Sequence, residues 1–286
     1  MRYTAPVGTL YVIGTPIGNL EDLTLRASRI LSAVPLVAAE DTRVTRRLLA
    51  HLDARPRLLS CHEHNWKRQL PRLLDALAEG DVALTTDAGS PAVSDPGADL
   101  VAAVAEAGHS VVSIPGVSAV TATLSVAGFP ADRFVFLGFL PRRRSERTAA
   151  LLEAAQSEQT IVLFEAPHRL RTALADITDA LGDPPIAVCR ELTKLHEEVW
   201  RGTASAALDH FTEPRGEFTI VIGPVTLAEP ERSASEDELL EMARQALMER
   251  RAAGTRGRDA VAEVVATTGL PRRAVYALWV ETGRSG

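Results

Sequence analysis

Apolar runs of four or five residues alternate with amphipathic stretches from residue 9 onward, and this alternation restricts the fold more than any other feature. Leu10–Ile13 ends at Gly14 and reads as a buried strand. Leu25–Leu31 has helical spacing, Leu36–Ala39 is the next strand and Thr42–Leu52 the next helix. Leu58-Leu59 is a weak strand and Leu70–Ala78 a helix ending at Gly80. Val82–Thr86, Ala98–Ala107 and Val111–Ile114 then read strand, helix, strand. Strands this short and apolar, separated by helices, imply a largely parallel sheet covered on both faces.

After Pro115-Gly116 the pattern restarts. Phe134–Leu137 and Ile161–Phe164 read as strands, Thr148–Ala155 and Leu170–Leu181 as helices, and Ile186–Cys189, Glu198–Trp200 and Phe218–Ile222 as further strands. The last of these follow one another across a short helix, which points to a mixed sheet. The expected architecture is two α/β domains, 1–117 and 118–230, followed by a small helical unit, 235–286. In that tail Ser235 and Glu238 form a capping box. Leu239, Leu240, Ala243 and Leu247 share a helix face, and Gly254 and Gly257 break the helix. Val261, Val264 and Val265 mark a second helix, Gly269-Leu270-Pro271 a turn, and Val275, Leu278 and Trp279 a third, as in a helix-turn-helix unit.

With 286 residues, 46% hydrophobic and 24% charged, the chain is long and apolar enough for real cores, which excludes a disordered or collagen-like protein. Cys61 and Cys189 are too few for a disulfide framework or a four-cysteine zinc site. Ser110–Ala131 is uncharged and long enough to span a membrane. It contains Pro115-Gly116, Gly128, Pro130 and six Ser or Thr residues, however, and divides into strand, turn and helix. Met1–Val7 is too short and polar for a secretory signal, so a cytoplasmic location is expected. Net charge is −6, yet basic side chains are concentrated locally. Residues 43–72 carry seven arginines and Lys67 against Asp53 and Glu63, Arg142-Arg143-Arg144 is followed by Arg147, and the tail adds Arg250, Arg251, Arg256, Arg258, Arg272 and Arg273. Such stretches suit phosphate contact or a solvated surface.

Three loops follow predicted strands at their C-terminal ends, where ligands sit in open α/β sheets. Gly14–Asn19 is neither a dinucleotide fingerprint nor a Walker loop. Asp87–Gly97 has eleven small, polar or turn-forming residues, where about two to six make a connection. It offers Asp87 and Asp95 to a ligand, unless Asp95 caps the helix after Pro96. Pro115–Ala119 puts Ser118 at a helix N-terminus, where capping is the alternative role. Cys61, His62 and His64 lack the four convergent ligands of structural zinc, and no metal is expected. On an extended strand His62 and His64 would share a face, with Cys61 opposite.

The segments GTPIGN (Gly14–Asn19), EDTR (Glu40–Arg43), HEHN (His62–Asn65), DAGSPAVSDPG (Asp87–Gly97), PGVSA (Pro115–Ala119), GFLP (Gly138–Pro141), EAPHR (Glu165–Arg169) and RELTK (Arg190–Lys194) occur in this order. Through them the chain resembles the tetrapyrrole-methylase-like superfamily, and within it the family that methylates small-subunit ribosomal RNA. The resemblance is dense over residues 9–223, and the tail resembles that family's helix-turn-helix extension.

The resemblance implies two α/β domains of the tetrapyrrole methylase type with S-adenosylmethionine in a cleft between them. It also implies methyl transfer to the ribose 2′-oxygen of a cytidine in the decoding region of 16S rRNA, on the small subunit or an assembly intermediate, by a homodimer. Cofactor contacts carry over to Ile17, Ala88, Gly89, Ser90, Val93, Ser118, Ala119, Glu165 and Leu192. Tetrapyrrole methylases carry Gly-Asp-Pro where this chain has Gly89-Ser90-Pro91, so Asp87 becomes the candidate carboxylate. RNA contacts are assigned to Arg43, His64, Asn65, Arg142, Arg143, Arg144, His168, Arg169 and Lys194.

Attack by a hydroxyl on a sulfonium methyl needs orientation and a proton acceptor, not a metal. Candidate acceptors are Glu40, Asp41, Asp87, Glu165 and His168. Asp41 could equally pair with Arg43, and Glu165 cap the helix beyond Pro167. C-methylation of a tetrapyrrole, or a non-enzymatic RNA-binding role, are the competing readings; the basic stretches and the helical tail favour RNA.

Overall fold

Ten strands and eleven α-helices alternate along the chain in this computed structural model, which describes residues 8–94, 97–227 and 236–283. The first half runs β1 (Thr9–Ile13), α1 (Leu25–Ala33), β2 (Leu36–Ala39), α2 (Thr42–His51), β3 (Arg57–Ser60), α3 (Trp66–Glu79), β4 (Val82–Thr85), α4 (Ala98–Glu106) and β5 (Ser110–Ile114). Its five strands pair in parallel in the order β3-β2-β4-β1-β5.

Because successive side chains alternate across a strand, even-numbered residues Leu10, Leu36, Ala38, Val82 and Leu84 join Leu73, Leu77, Leu100 and Val104 of α3 and α4 on one face. Odd-numbered Ile13, Val37 and Ala83 join Ile30, Leu31, Leu48 and Leu49 of α1 and α2 on the other. Each such fully buried Leu or Ile contributes about 1.5–3 kcal/mol. All four residues of β2 and of β4 are buried, as expected of central strands covered on both sides.

The second half runs α5 (Ala119–Ala127), β6 (Phe134–Phe139), α6 (Arg144–Ala155), β7 (Thr160–Glu165), α7 (Pro167–Leu181), β8 (Pro185–Arg190), β9 (Glu198–Thr203), α8 (Ala204–His210) and β10 (Phe218–Ile222). The strand order is β6-β7-β10-β8-β9; only β6 and β7 pair in parallel. The mixed sheet expected from the sequence is present. β10, last in the chain, is wholly buried between β7 and β8. Val120, Leu124 and Ala127 of α5 pack on Val162, Ala187 and Val221. Met1–Thr226, holding both sheets, forms one compact unit.

Leu227–Gly286 forms the other unit. Its helices are α9 (Glu236–Ala252), α10 (Gly257–Thr268) and α11 (Arg272–Thr282), packed around Ala243, Leu247, Val261, Val264, Val275 and Leu278. Gly257 opens α10 rather than interrupting the chain before it. A Cβ there would lie 2.6 Å from Trp279 Nε1, so its lack of a side chain admits the indole. The Arg251 guanidinium covers the same ring, 3.9 Å from its centroid. Ser235, expected to cap α9, lies outside the described residues.

Three helices start earlier than periodicity suggested: α3 at Trp66 instead of Leu70, α6 at Arg144 instead of Thr148, and α7 at Pro167 instead of Leu170. Apart from Trp66 and Pro167 their first turns are polar, so no apolar stripe marks them. Ser110–Ala131 divides into β5, a loop and α5, and among the described residues no helix is long and apolar enough to cross a membrane.

Candidate functional site

The loop after β1 is pinned by backbone contacts. A Cβ on Gly14 would lie 2.8 Å from Gly116 Cα, so the loops after β1 and β5 touch backbone to backbone. Thr15 and Gly89 exchange two hydrogen bonds: Thr15 N–H donates to Gly89 O at 2.8 Å and Gly89 N–H to Thr15 O at 3.1 Å. Gly89 is buried with φ +72°, a conformation costly for residues with a side chain. The loop after β4 is thereby fastened to the loop after β1. It also meets β6, where a Cβ on Gly138 (φ +61°) would lie 2.9 Å from Ser94 Oγ.

A cleft of about 340 Å³ opens along these loops. From the first half it takes Ile17, Ala88, Gly89, Ser90 and Val93; from the segment entering α5, Ser118 and Ala119. From the second sheet it takes Phe139, Phe164, Glu165, Glu217, Phe218 and Thr219. Eight of the residues assigned from the sequence meet here. Asp87 and Leu192 do not line the cleft. Asp87 is exposed, and its carboxylate accepts the Asp41 N–H at 3.1 Å beyond the edge of the parallel sheet. The carboxylates that do line the cleft are Glu165 and Glu217, not Asp87. Ser118 occupies the N-cap of α5 but makes no capping bond, which leaves its hydroxyl to the cleft. Asp95, the other capping candidate, lies outside the described residues.

Glu165 ends β7 with its side chain fully buried. Oε1 accepts the Ala166 N–H at 2.9 Å and lies 3.3 Å from Arg169 Nε, whereas Oε2 has no partner among the described residues. Burial pushes the carboxyl pKa above its ordinary value, against the opposing pull of the Ala166 N–H and Arg169. One oxygen thus holds the Ala166 N–H just ahead of α7, which is not the capping bond expected of it, and the other has no partner among the described residues.

Phe139 and Phe164, which sequence reasoning missed, form an edge-to-face pair with centroids 5.7 Å apart, and Phe136 adds a second contact to Phe164 at 5.0 Å. The irregularity in β6 between Phe136 and Phe139 lets both phenyl rings reach the same partner. Their signal was the recurrence of Phe beside the GFLP and EAPHR segments; within a strand, a Phe reads as core.

A second acidic group surrounds the ends of β2 and β4. Asp41 caps α2, accepting the Arg43 N–H at 2.8 Å, and grips the Arg43 side chain with both oxygens. Those bonds bring its pKa down to about 2. Asp41 and Arg43 are therefore occupied with each other. Glu40 is half-buried, and burial raises its pKa while the Asp87 N–H opposes the rise.

The RNA candidates separate into distinct roles. His64 is exposed. Asn65 is buried and holds a turn, accepting the His62 N–H at 2.8 Å and donating to Ser60 O at 3.2 Å. That turn ends β3 at Ser60, so the strand alternation expected for His62 and His64 does not apply; their rings meet edge-on at 6.1 Å. Arg143 pairs with Glu146, and Arg144 with Asp176 and Asp179. Arg147, expected on a basic surface, is buried against Asp176 and donates to Pro141 O and Arg142 O. Arg169 donates to Leu140 O and Pro141 O. Lys194 bridges Glu191 at 2.9 Å and the cleft residue Glu217 at 2.8 Å. Arg142 and His168 are exposed and have no carboxylate partner among the described residues. Among those residues no three His, Cys, Asp or Glu side chains are grouped to hold a metal. Burial pushes both cysteine thiols up to about 11.

The family model for tetrapyrrole (corrin/porphyrin) methylases matches residues 9–208. Ribosomal RNA small subunit methyltransferase I of Synechocystis is 44% identical over 284 residues, covering 98% of this chain and 100% of that protein. The protein of the same name from Halalkalibacterium halodurans is 41% identical, covering 95% of this chain and 94% of that one. The chain belongs to the tetrapyrrole methylases, in the family of ribosomal RNA small subunit methyltransferase I. A cobalt precorrin-4 methyltransferase superposes with a TM-score of 0.57 at 21% identity, over 75% of this chain and 94% of its own. A uroporphyrin-III C-methyltransferase from Thermus thermophilus, complexed with S-adenosylhomocysteine, gives 0.55 at 22%, over 76% and 97%. The tail lies outside the span of the tetrapyrrole methylase model, whereas the Synechocystis relative matches nearly the whole chain.

Proposed function

We propose that this protein methylates the RNA of the small ribosomal subunit, at the ribose 2′-oxygen of a cytidine in the decoding region, with S-adenosylmethionine as methyl donor. The observation that carries this reading is the 44% identity to a ribosomal RNA methyltransferase across 98% of the chain, tail included. The cleft fits the donor. Its glycine and alanine wall, with Gly89 held at φ +72° where a side chain is disfavoured, lets a ligand lie close to the backbone. Phe139 and Phe164 offer apolar surface, and Ser118 and Glu217 offer polar partners for hydroxyl and ammonium groups.

When bound there, S-adenosylmethionine supplies an electrophilic methyl group on a sulfonium. The chain's own residues supply the rest. The cleft walls orient the reacting groups. Glu165, whose buried Oε2 has no partner among the described residues, is the acceptor this reading assigns to the hydroxyl proton, released as a methyl–sulfur bond would give way to the new C–O bond. Asp41 is poorly suited, because Arg43 holds both of its oxygens. The resemblance further supports a cytoplasmic homodimer acting on the subunit or an assembly intermediate.

The test is mass spectrometry of ribosomal RNA nucleosides from cells with and without the protein, with purified protein added back to the unmodified subunits. Loss of one 2′-O-methylcytidine, restored on addition, is the expected result. An unchanged nucleoside profile overturns the reading.

A further inference from the structure

The cleft shares Glu165 and Ala166 with a second, larger hollow of about 680 Å³. Arg142, Arg147, His168, Arg169 and Thr172 line the rest of it. The positive charges there are not equivalent. Arg147 is neutralised by buried Asp176, and Arg169 faces Glu165 and two carbonyls. Arg142 and His168 remain exposed, with no carboxylate partner among the described residues.

The fifteen-residue helix α7 starts at this hollow. Its N-cap is Ala166, which has no side-chain acceptor for the first-turn N–H groups. The end of a helix left open in this way favours an anion. A separate observation makes the hollow more than an anion site. Glu165 Oε2 is a fully buried acceptor without a partner among the described residues, and its residue lines the same wall.

A bare anion would be repelled by Glu165, and a bare cation by Arg142. A ligand that offers a phosphate at one end and a hydroxyl donor at the other satisfies both. The volume lies within the range of about 300–1,000 Å³ usual for small-molecule sites. We propose that this hollow seats the ribose-phosphate of the nucleotide to be methylated. Its phosphate meets Arg142, His168 and the start of α7, and its ribose hydroxyl donates to Glu165. Two cavities meeting at Glu165 and Ala166 then bring donor and acceptor to the same residues. This assignment rests on the RNA-methylation reading and specifies where that reaction holds its substrate. It also makes the pocket selective for ribose over deoxyribose, because the deoxy sugar leaves Glu165 unpaired.

The test measures binding, not turnover, on the full chain saturated with S-adenosylhomocysteine. Saturation-transfer NMR compares cytidine 5′-monophosphate with its 2′-deoxy counterpart. Subunit binding is followed across a salt series. Arg142→Gln and Thr172→Trp are expected to weaken cytidine monophosphate binding about tenfold. Arg142→Gln should also flatten the salt dependence by about 0.7–0.9 log units per log unit of salt, the effect of one phosphate contact. The deoxynucleotide should bind several-fold more weakly to wild type. Glu165→Leu, checked for folding by circular dichroism, should erase that preference.

Unchanged nucleotide affinity in both Arg142→Gln and Thr172→Trp overturns the site, and equal binding of the two nucleotides to wild type overturns the role of Glu165. A wild type that methylates subunits while these variants bind normally refutes the hollow alone. A wild type that binds cytidine monophosphate as described but methylates no subunit refutes the RNA-methylation reading alone.

Discussion

The two sheets contribute opposite kinds of surface to the same cleft. The parallel sheet offers loops and almost no bulk: Ile17, Ala88, Gly89, Ser90 and Val93, with Gly89 tied through its backbone to Thr15. The mixed sheet offers side chains ending strands: Phe139, Phe164, Glu165, Glu217 and Phe218. The difference follows from topology. In a parallel sheet every strand delivers its C-terminal end, and so a loop, to the same edge. In the mixed sheet β10 runs against its neighbours, so Phe218 at its start lies opposite Glu165 and Arg190 at the ends of β7 and β8. Binding close to the backbone comes from one half, and charge and aromatic packing from the other.

Five experiments would break or sharpen that contrast. The largest expected effect belongs to the charged wall: Glu165→Gln should lower methyl transfer about 10²–10⁴-fold with little change in donor affinity. The same pair of proteins should differ in the pH dependence of stability. Burial raises the Glu165 pKa above its ordinary 4.5, so near that pH the folded state binds more protons than the unfolded one. Wild-type stability relative to the Gln variant should therefore fall as pH rises through 4.5 and beyond. A flat difference in urea midpoints would show that Glu165 is not buried as described.

Next is Arg147→Ala, which leaves Asp176 in the interior with Arg144 as its one remaining basic partner among the described residues and should cost about 3 kcal/mol in urea unfolding. Arg142→Ala, in the same basic stretch, should stay within about 0.5 kcal/mol of wild type. Equal effects would mean that the stretch is one surface after all. On the loop side, Ala88→Trp places an indole against the small-residue wall. It should weaken donor binding by calorimetry about a hundredfold, ~2.7 kcal/mol. Unchanged affinity would remove the parallel sheet's loops from the donor site. The smallest effect is none: protein stripped with EDTA before meeting Mg²⁺-folded subunits should transfer methyl at its original rate, because a sulfonium methyl needs no Lewis acid. Recovery of a lost rate with one transition metal would contradict that chemistry.

Local pattern determined a great deal here. The apolar runs located most of the strands, since a strand covered on both faces must be apolar throughout, and β2 and β4 are; β9, Glu198–Thr203, is part-exposed and its signal was only Val199 and Trp200. The loop of small residues from Asp87 stood out because its length exceeded any connecting need, and it forms one wall of the cleft. Gly254, Gly269 and the helix-face periodicity marked out the tail. None of this specified where charges would find partners. Arg144 meets Asp176 across 32 residues of chain, Arg147 meets it across 29 and Lys194 meets Glu217 across 23. From sequence, Arg142, Arg144 and Arg147 were one basic run, and Asp41, Asp87 and Glu165 were equivalent carboxylates. Only the tertiary structure distinguished the paired from the free. A charge is neutralised by whatever lies within a few ångströms of it, and separation along the chain does not set that distance. The insertion of β10 between β7 and β8 is of the same kind, because strand order depends on which edges the completed sheet leaves to be filled.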